Sequence, residues 1–213
     1  MIGLIRKDVL NLTKVLKLYL GAAVLYGVFS YMNENTLMLV YMLLMLAFFL
    51  ILSAFQEDDV CEWNLYAGAM PLKVTDIVWE KYLLGLIFNL GGVVCVLILS
   101  VILLALKGRL TELSVILQSA GIGALVVIAV QSIMIPVIYK MGVERARIAI
   151  IIGTFGIFFL GYAAIESGLL GSLSPELIEN MIRYAPYAGI AAVLLLLMVS
   201  YKISVNLYKK KEW

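Results

Sequence analysis

Histidine is absent from all 213 residues. That removes Ser-His-Asp triads, Cys-His nucleophile pairs and the usual zinc sites. No G-x-x-x-x-G-K-[ST] phosphate loop occurs either. Cysteine is limited to Cys61 and Cys95, one in an acidic stretch and one deep in an apolar run, so no disulfide framework is suggested. Charge is scarce, at 14% of residues against 64% hydrophobic. These absences point away from an enzyme: no catalytic, cofactor or metal site is expected on this chain, and no nucleic-acid partner.

What charge there is divides the chain into long neutral windows. Lys17 to Glu34 encloses 16 uncharged residues, Glu34 to Glu57 22, Lys81 to Lys107 25, Glu112 to Lys140 27, and Arg147 to Glu166 and Arg183 to Lys202 18 each. A helix crosses a bilayer core with about 20 apolar residues, roughly 17 to 25 being tolerated. Six windows therefore predict six transmembrane helices in one domain, an all-α polytopic membrane protein. The spans are placed at about 17–33, 36–55, 82–106, 114–139, 148–165 and 186–205. A soluble helical core fails because too little polar surface remains to cover it. No carboxylate lies inside a window, which disfavours a proton-coupled pump.

Six spans put both termini on one side. That side holds thirteen of the sixteen basic residues, leaving Lys107, Arg109 and Arg183 on the other. Short loops rich in Lys and Arg stay cytoplasmic, so both termini, and the loop at about 56–81, are expected inside. Arg6, Lys7, Lys14 and Lys17 are spread through the first seventeen residues, which does not read as a removable signal peptide. Residues 2–16 instead read as a basic amphipathic helix in the headgroup plane, with Ile2, Ile5, Val9, Leu12 and Leu16 as its apolar stripe and Arg6, Lys7 and Asp8 among its polar residues.

Outside, Asn33–Thr36 and the loop at 107–113 are short turns. The stretch at about 166–185 is longer, and Ser174-Pro175-Glu176 reads as a helix start there. Within the spans, Asn89, Gln131 and Thr154 are polar residues that either bond neighbouring helices or mark a pathway. Pro136 is expected to kink the fourth span. Ser119–Gly123 and Ala120–Ala124 have small-xxx-small spacing, and Gly153, Gly156 and Gly161 thin the fifth span, all allowing close helix contact.

The densest charge lies between the second and third spans, where Glu57, Asp58, Asp59 and Glu62 fall within six positions. If residues 57–70 were one helix, Asp58, Glu62 and Tyr66 would share one face, and Val60, Trp63, Ala67 and Met70 another. Pro71 ends such a helix, and Thr75 or Asp76 can cap the next. The segment is then either a docking element for another protein or a solvated loop whose acids balance Lys73 and Lys81.

Phe55-x-x-Asp58, Trp63-x-x-Tyr66, Pro71 and the run "DIVWEKYL" resemble the cytoplasmic loop of ABC type-2 exporter permeases, the membrane subunits of ATP-binding-cassette transporters. "LIRKDVLNL" is similar to that family's membrane-surface elbow helix. The resemblance implies a coupling helix that docks on an ATPase subunit. Glu57, Asp58, Asp59 and Glu62 would face basic groups on the ATPase or the elbow helix, Trp63 and Tyr66 would pack the loop under the bundle, and Pro71 would set the turn. It also implies ATP and Mg on that partner subunit, a second permease copy, membrane lipids around the bundle, an external helical insertion before the last span, and a bacterial cytoplasmic membrane. A non-transporting immunity or scaffold protein and an ion-coupled carrier or channel are the rival readings.

Overall fold

The computed structural model describes residues 2–33, 36–166 and 175–210, with side-chain surroundings across most of 3–153 and 186–210. Among these there are eight α-helices and no strand: α1 (Ile2–Asn11), α2 (Thr13–Met32), α3 (Thr36–Val60), α4 (Trp63–Ala69), α5 (Val74–Lys107), α6 (Leu113–Met141), α7 (Val143–Glu166) and α8 (Pro175–Lys210). Among the described residues, five stretches are long and apolar enough to cross a membrane: α2, α3, α5, Leu110–Met141 and Pro186–Lys210. The expected fifth span falls on α7, a 24-residue helix whose side chains are described only in part.

Several boundaries differ from the sequence expectation. The helix expected over 2–16 stops at Asn11, and α2 begins at Thr13. The helix that begins at Pro175 runs on through Pro186 into the last apolar stretch. Residues 167–174 of the loop expected outside, and with them Ser174, lie outside the described residues. Neither Thr75 nor Asp76 caps α5. Its N-cap is Lys73, in extended geometry and without a side-chain cap bond, so Asp76 stands in the first turn, where the helix dipole favours an acid.

At 34 residues, α5 is ~51 Å long at 1.5 Å per residue, well beyond the ~30 Å hydrocarbon core. Its surplus lets the Val74–Tyr82 end carry polar side chains into contact with α1 and α3. The other end stops at Gly108, whose left-handed φ of 67° lets Arg109 N–H reach Leu104 O at 2.9 Å.

The bundle is organised around α3, which packs against α2, α5, α6 and α7. Two apolar layers stack along it. One joins Leu12, Ile51, Phe55, Val78, Leu84, Met134 and Tyr208, and the other joins Ala23, Leu39, Leu43, Leu44, Val96, Leu104 and Ile116. Small residues set the spacing between helices. A Cβ on Gly92 would sit 2.9 Å from the Ala47 methyl, and one on Gly123 would sit 2.5 Å from Leu44 Cδ1. Gly123 and buried Ala120 thus serve contact within the chain, on α3. Gly153 and Gly156 face open space, and Gly161 is outside the described side chains.

Candidate functional site

The site begins with an acid in the wrong place for a simple amphipathic helix. Along α1 and at Leu12 just after it, the buried positions are Leu4, Asp8 and Leu12, four residues apart, with Ile5 and Val9 only half-buried beside them. The predicted stripe therefore shifts, and an aspartate sits at its centre.

Asp8 tolerates burial because two ammonium groups meet it. Lys7 Nζ lies 2.7 Å from Asp8 Oδ1, and Lys81 Nζ hydrogen-bonds Asp8 Oδ2. The same two lysines also hold Asp58, Lys7 at 2.7 Å on Oδ1 and Lys81 at 2.5 Å on Oδ2. Each carboxylate oxygen takes one ammonium, and each ammonium bridges both carboxylates. The result is a closed, charge-neutral ring, Lys7–Asp8–Lys81–Asp58, linking α1, α3 and α5. Asp8, Asp58 and Lys81 are all buried, and Lys7 is only slightly exposed.

Burial alone would raise the Asp8 carboxyl, but the charge of Lys81 and the surrounding hydrogen bonds outweigh it and hold the group below its ordinary value of 3.8. Glu80 lies beside the ring, buried, with Oε2 3.8 Å from Lys81 and its other oxygen without a hydrogen-bond partner.

Aromatic rings surround the ring of charges. Lys7 Nζ stands 3.9 Å over the Trp63 ring, and Lys81 5.4 Å from that of Phe55. Phe55 meets Tyr139 edge-on at 5.5 Å, and Tyr139 meets Tyr208 likewise, carrying the cluster into α6 and α8. Next to Lys81, the Tyr82 hydroxyl bonds Ser200 and, at 2.9 Å, Ser204, while Ser200 Oγ donates to Ser132 O. Helices α5, α6 and α8 are therefore tied by hydroxyls at the same end.

The acidic stretch is not one helix. It ends α3 at Val60, turns at Cys61–Glu62 and restarts as α4. Glu62 adopts the left-handed region, φ 50° and ψ 33°, at a cost of about 1–2 kcal/mol for a non-glycine residue. The break has a geometric reason. Five residues on a continuous helix turn the chain by about 500°, leaving Asp58 and Trp63 about 140° apart. With the turn, both reach Lys7. The predicted face of Asp58, Glu62 and Tyr66 accordingly does not exist.

Asp58 is internal and faces α1 and α5, not solvent. Asp59 and Glu62 are exposed, Glu57 is half-buried, and Tyr66 is exposed rather than packed. Trp63 and Ala67 pack α4 onto the core. Met70 is extended ahead of exposed Pro71, as the ring of a following proline requires. Arg6 is exposed. Asn89 is buried and donates to Ala124 O at 3.3 Å, while buried Gln131 lies against Gly85 with its Nε2 unpartnered. The side chain of Thr154 lies outside the described residues.

Glu80, Lys81, Tyr82, Tyr139, Ser200 and Tyr208 were not read as site residues from sequence. A signal existed in "VWEKYL", two charges set inside an otherwise apolar helical start.

The profile described as ABC-2 family transporter protein matches residues 3–209, nearly the whole chain. The chain belongs to this family. It is thus a multi-pass membrane component of an ABC-2 transporter. Permeases of this family lack catalytic sites of their own and typically pair with an ABC ATPase. Comparison with curated proteins and with solved structures gave no match. The ring and α4 are the parts of this ABC-2 permease where polar chemistry is concentrated. Among the described residues, no group of three or more His, Cys, Asp or Glu side chains is placed to hold a metal ion.

Proposed function

We propose that this ABC-2 permease is the membrane subunit of an ATP-driven exporter in which α4 and the acids flanking it form the contact with the ATPase. The observation that carries the reading is the suspension of α4 between the ends of α3 and α5, with Trp63 at its start clamped to Lys7 of the ring. A force on α4 reaches three helices through short, buried contacts. Exposed Asp59 and Glu62, with Glu57, present negative charge for basic groups of the partner, while Asp58 holds the base together from within.

The fuller assembly is two permease copies with two ATPase subunits carrying ATP and Mg, in a bacterial cytoplasmic membrane with both termini inside. In it α7 serves as the fifth of six spans, α1 as the elbow helix, and the segment before the last span as the outer gate. The uncharged, apolar bundle suits an amphipathic or lipid-like cargo, peptides included, moved outward.

The test is co-expression with the ATP-binding-cassette subunit encoded beside it, followed by pull-down at several salt concentrations and hydrolysis in vesicles. Glu57→Gln/Asp59→Asn/Glu62→Gln should lose association in a salt-dependent way while staying folded, because partly exposed interface charges act at the low end of the ~1.5–7 kcal/mol range. Trp63→Ala should leave the complex assembled but uncouple hydrolysis from transport. Association and transport unaffected by the triple variant would reject docking through these acids.

A further inference from the structure

A crevice of about 270 Å³ opens on the side of the bundle between α2, α3 and α5. Its walls include Leu16, Tyr19 and Ala23 of α2, Ala47 of α3, and Gly91 and Cys95 of α5. Two features keep it open. Gly92 and Ala47 let α3 and α5 approach closely behind it, and a Cβ on Gly91 would meet nothing within 4 Å. Along α5, Ile87 to Cys95 spans ~12 Å at 1.5 Å per residue. That is most of one leaflet, half of a ~30 Å hydrocarbon core.

The crevice begins at Leu16, at the same end of the bundle as the ring, where exposed Lys17 flanks it and exposed Lys14 stands one turn earlier. Neither lysine makes an ion pair among the described residues. An apolar slot of this depth with cations at its headgroup end matches one ligand chemistry. We propose that it is a binding site for an anionic phospholipid of that leaflet, one acyl chain lying in the crevice and the phosphate on Lys17 and Lys14. A helix of a second copy fits poorly, since a helix with side chains is about 10–12 Å across and the slot is far smaller. The proposal rests only on the chain residing in a membrane, and not on the ATPase-docking reading.

The experiment uses the full chain in phosphatidylcholine vesicles containing a trace of phosphatidylglycerol with a photoactivatable diazirine in its acyl chain. Adducts are mapped by mass spectrometry. Crevice residues should be labelled at least five-fold more than the exposed α8 face at Leu194 and Met198. Unlabelled phosphatidylglycerol should compete for the crevice, and phosphatidylcholine should not. Gly91→Trp should remove the crevice adducts while leaving those on α8, and Gly91→Leu should reduce them should the larger residue disturb folding. Lys17→Gln should reduce the preference several-fold. Equal labelling of both faces, competition by either lipid alike, or crevice protection that rises with protein density instead of lipid would each overturn the proposal, the last by pointing to a second copy.

Discussion

Lys81→Met removes the ammonium that bridges Asp8 and Asp58 from the α5 side. Methionine matches the length of the lysine stem, so the change is chiefly electrostatic. Two buried carboxylates, with a third at Glu80 beside them, are left with Lys7 alone. Removing one partner of a buried ion pair typically costs 3–5 kcal/mol, because the remaining charge stays desolvated and unpaired. The residues concerned are almost fully buried, so solvent screening does little to reduce that figure. At about 1.4 kcal/mol per tenfold, the population with α1 detached should rise about 10²- to 10⁴-fold.

A reporter cysteine at Leu4, buried on α1, can read this in a background lacking Cys61 and Cys95. Its rate of modification by a water-soluble maleimide follows the open population when closing is fast. Adding Asp8→Asn to Lys81→Met should recover part of the loss, since Lys7 and Asp58 then balance. A Leu4→Cys labelling rate in Lys81→Met within twofold of the parent would refute the idea that the ring holds α1 to the bundle.

Glu80→Gln should behave oppositely: its amide can keep the hydrogen bond to Asp8 while the change removes a buried acid with one unpartnered oxygen, so thermal unfolding should be unchanged or shifted upward, and a large destabilisation would refute this view. The Asp8 carboxyl is held below 3.8 when folded, so its stabilising contribution is complete above that value and is lost as pH falls through the folded one. The same Leu4→Cys reporter, pulsed at acid pH with a reagent active there, should accelerate below about pH 4, and an unchanged rate between about pH 5 and pH 3 would contradict this. Gly123→Val should drive a side chain into Leu44 and cost about 1–3 kcal/mol by overpacking, measurable as earlier thermal unfolding in detergent, whereas Gly153→Val, facing open space, should be silent.

The helical plan was legible because charge-free windows are a property of consecutive residues. Lys17, Glu57, Lys107 and Lys140 fall at or near helix ends for the same reason that they interrupt the windows. The ring was not legible. Lys81 and Asp8 are separated by 73 residues, and each had a sufficient local explanation, one as a span boundary and the other as a polar residue of a surface helix. Asp58 stands out in sequence as one of four clustered acids, but the direction it faces depends on whether 57–70 is one helix. The left-handed turn at Glu62 breaks that phase, and nothing in a non-glycine residue announces it. Trp63 was legible as an anchor through its size, while the partner it anchors to, Lys7, is distant in sequence.

The hydroxyl ties of Tyr82, Ser200 and Ser132 bear on how this bundle can deform. They sit with the charge ring at one end, so α1, α3, α5, α6 and α8 share directional bonds there. Farther along, Asn89 donates to Ala124 O at 3.3 Å and Lys107 to Ser30 O at 3.5 Å, each a single bond, whereas the charges near Lys81 close into a ring. Apolar layers have no preferred register over short slides, whereas hydrogen bonds do. Opening should therefore be a tilt about the bonded end, with the smallest displacements near Lys81 and the largest near Leu104 and Ile116. Leverage would run along the full ~51 Å of α5, turning a small rotation at α4 into a separation of several ångströms on the opposite face.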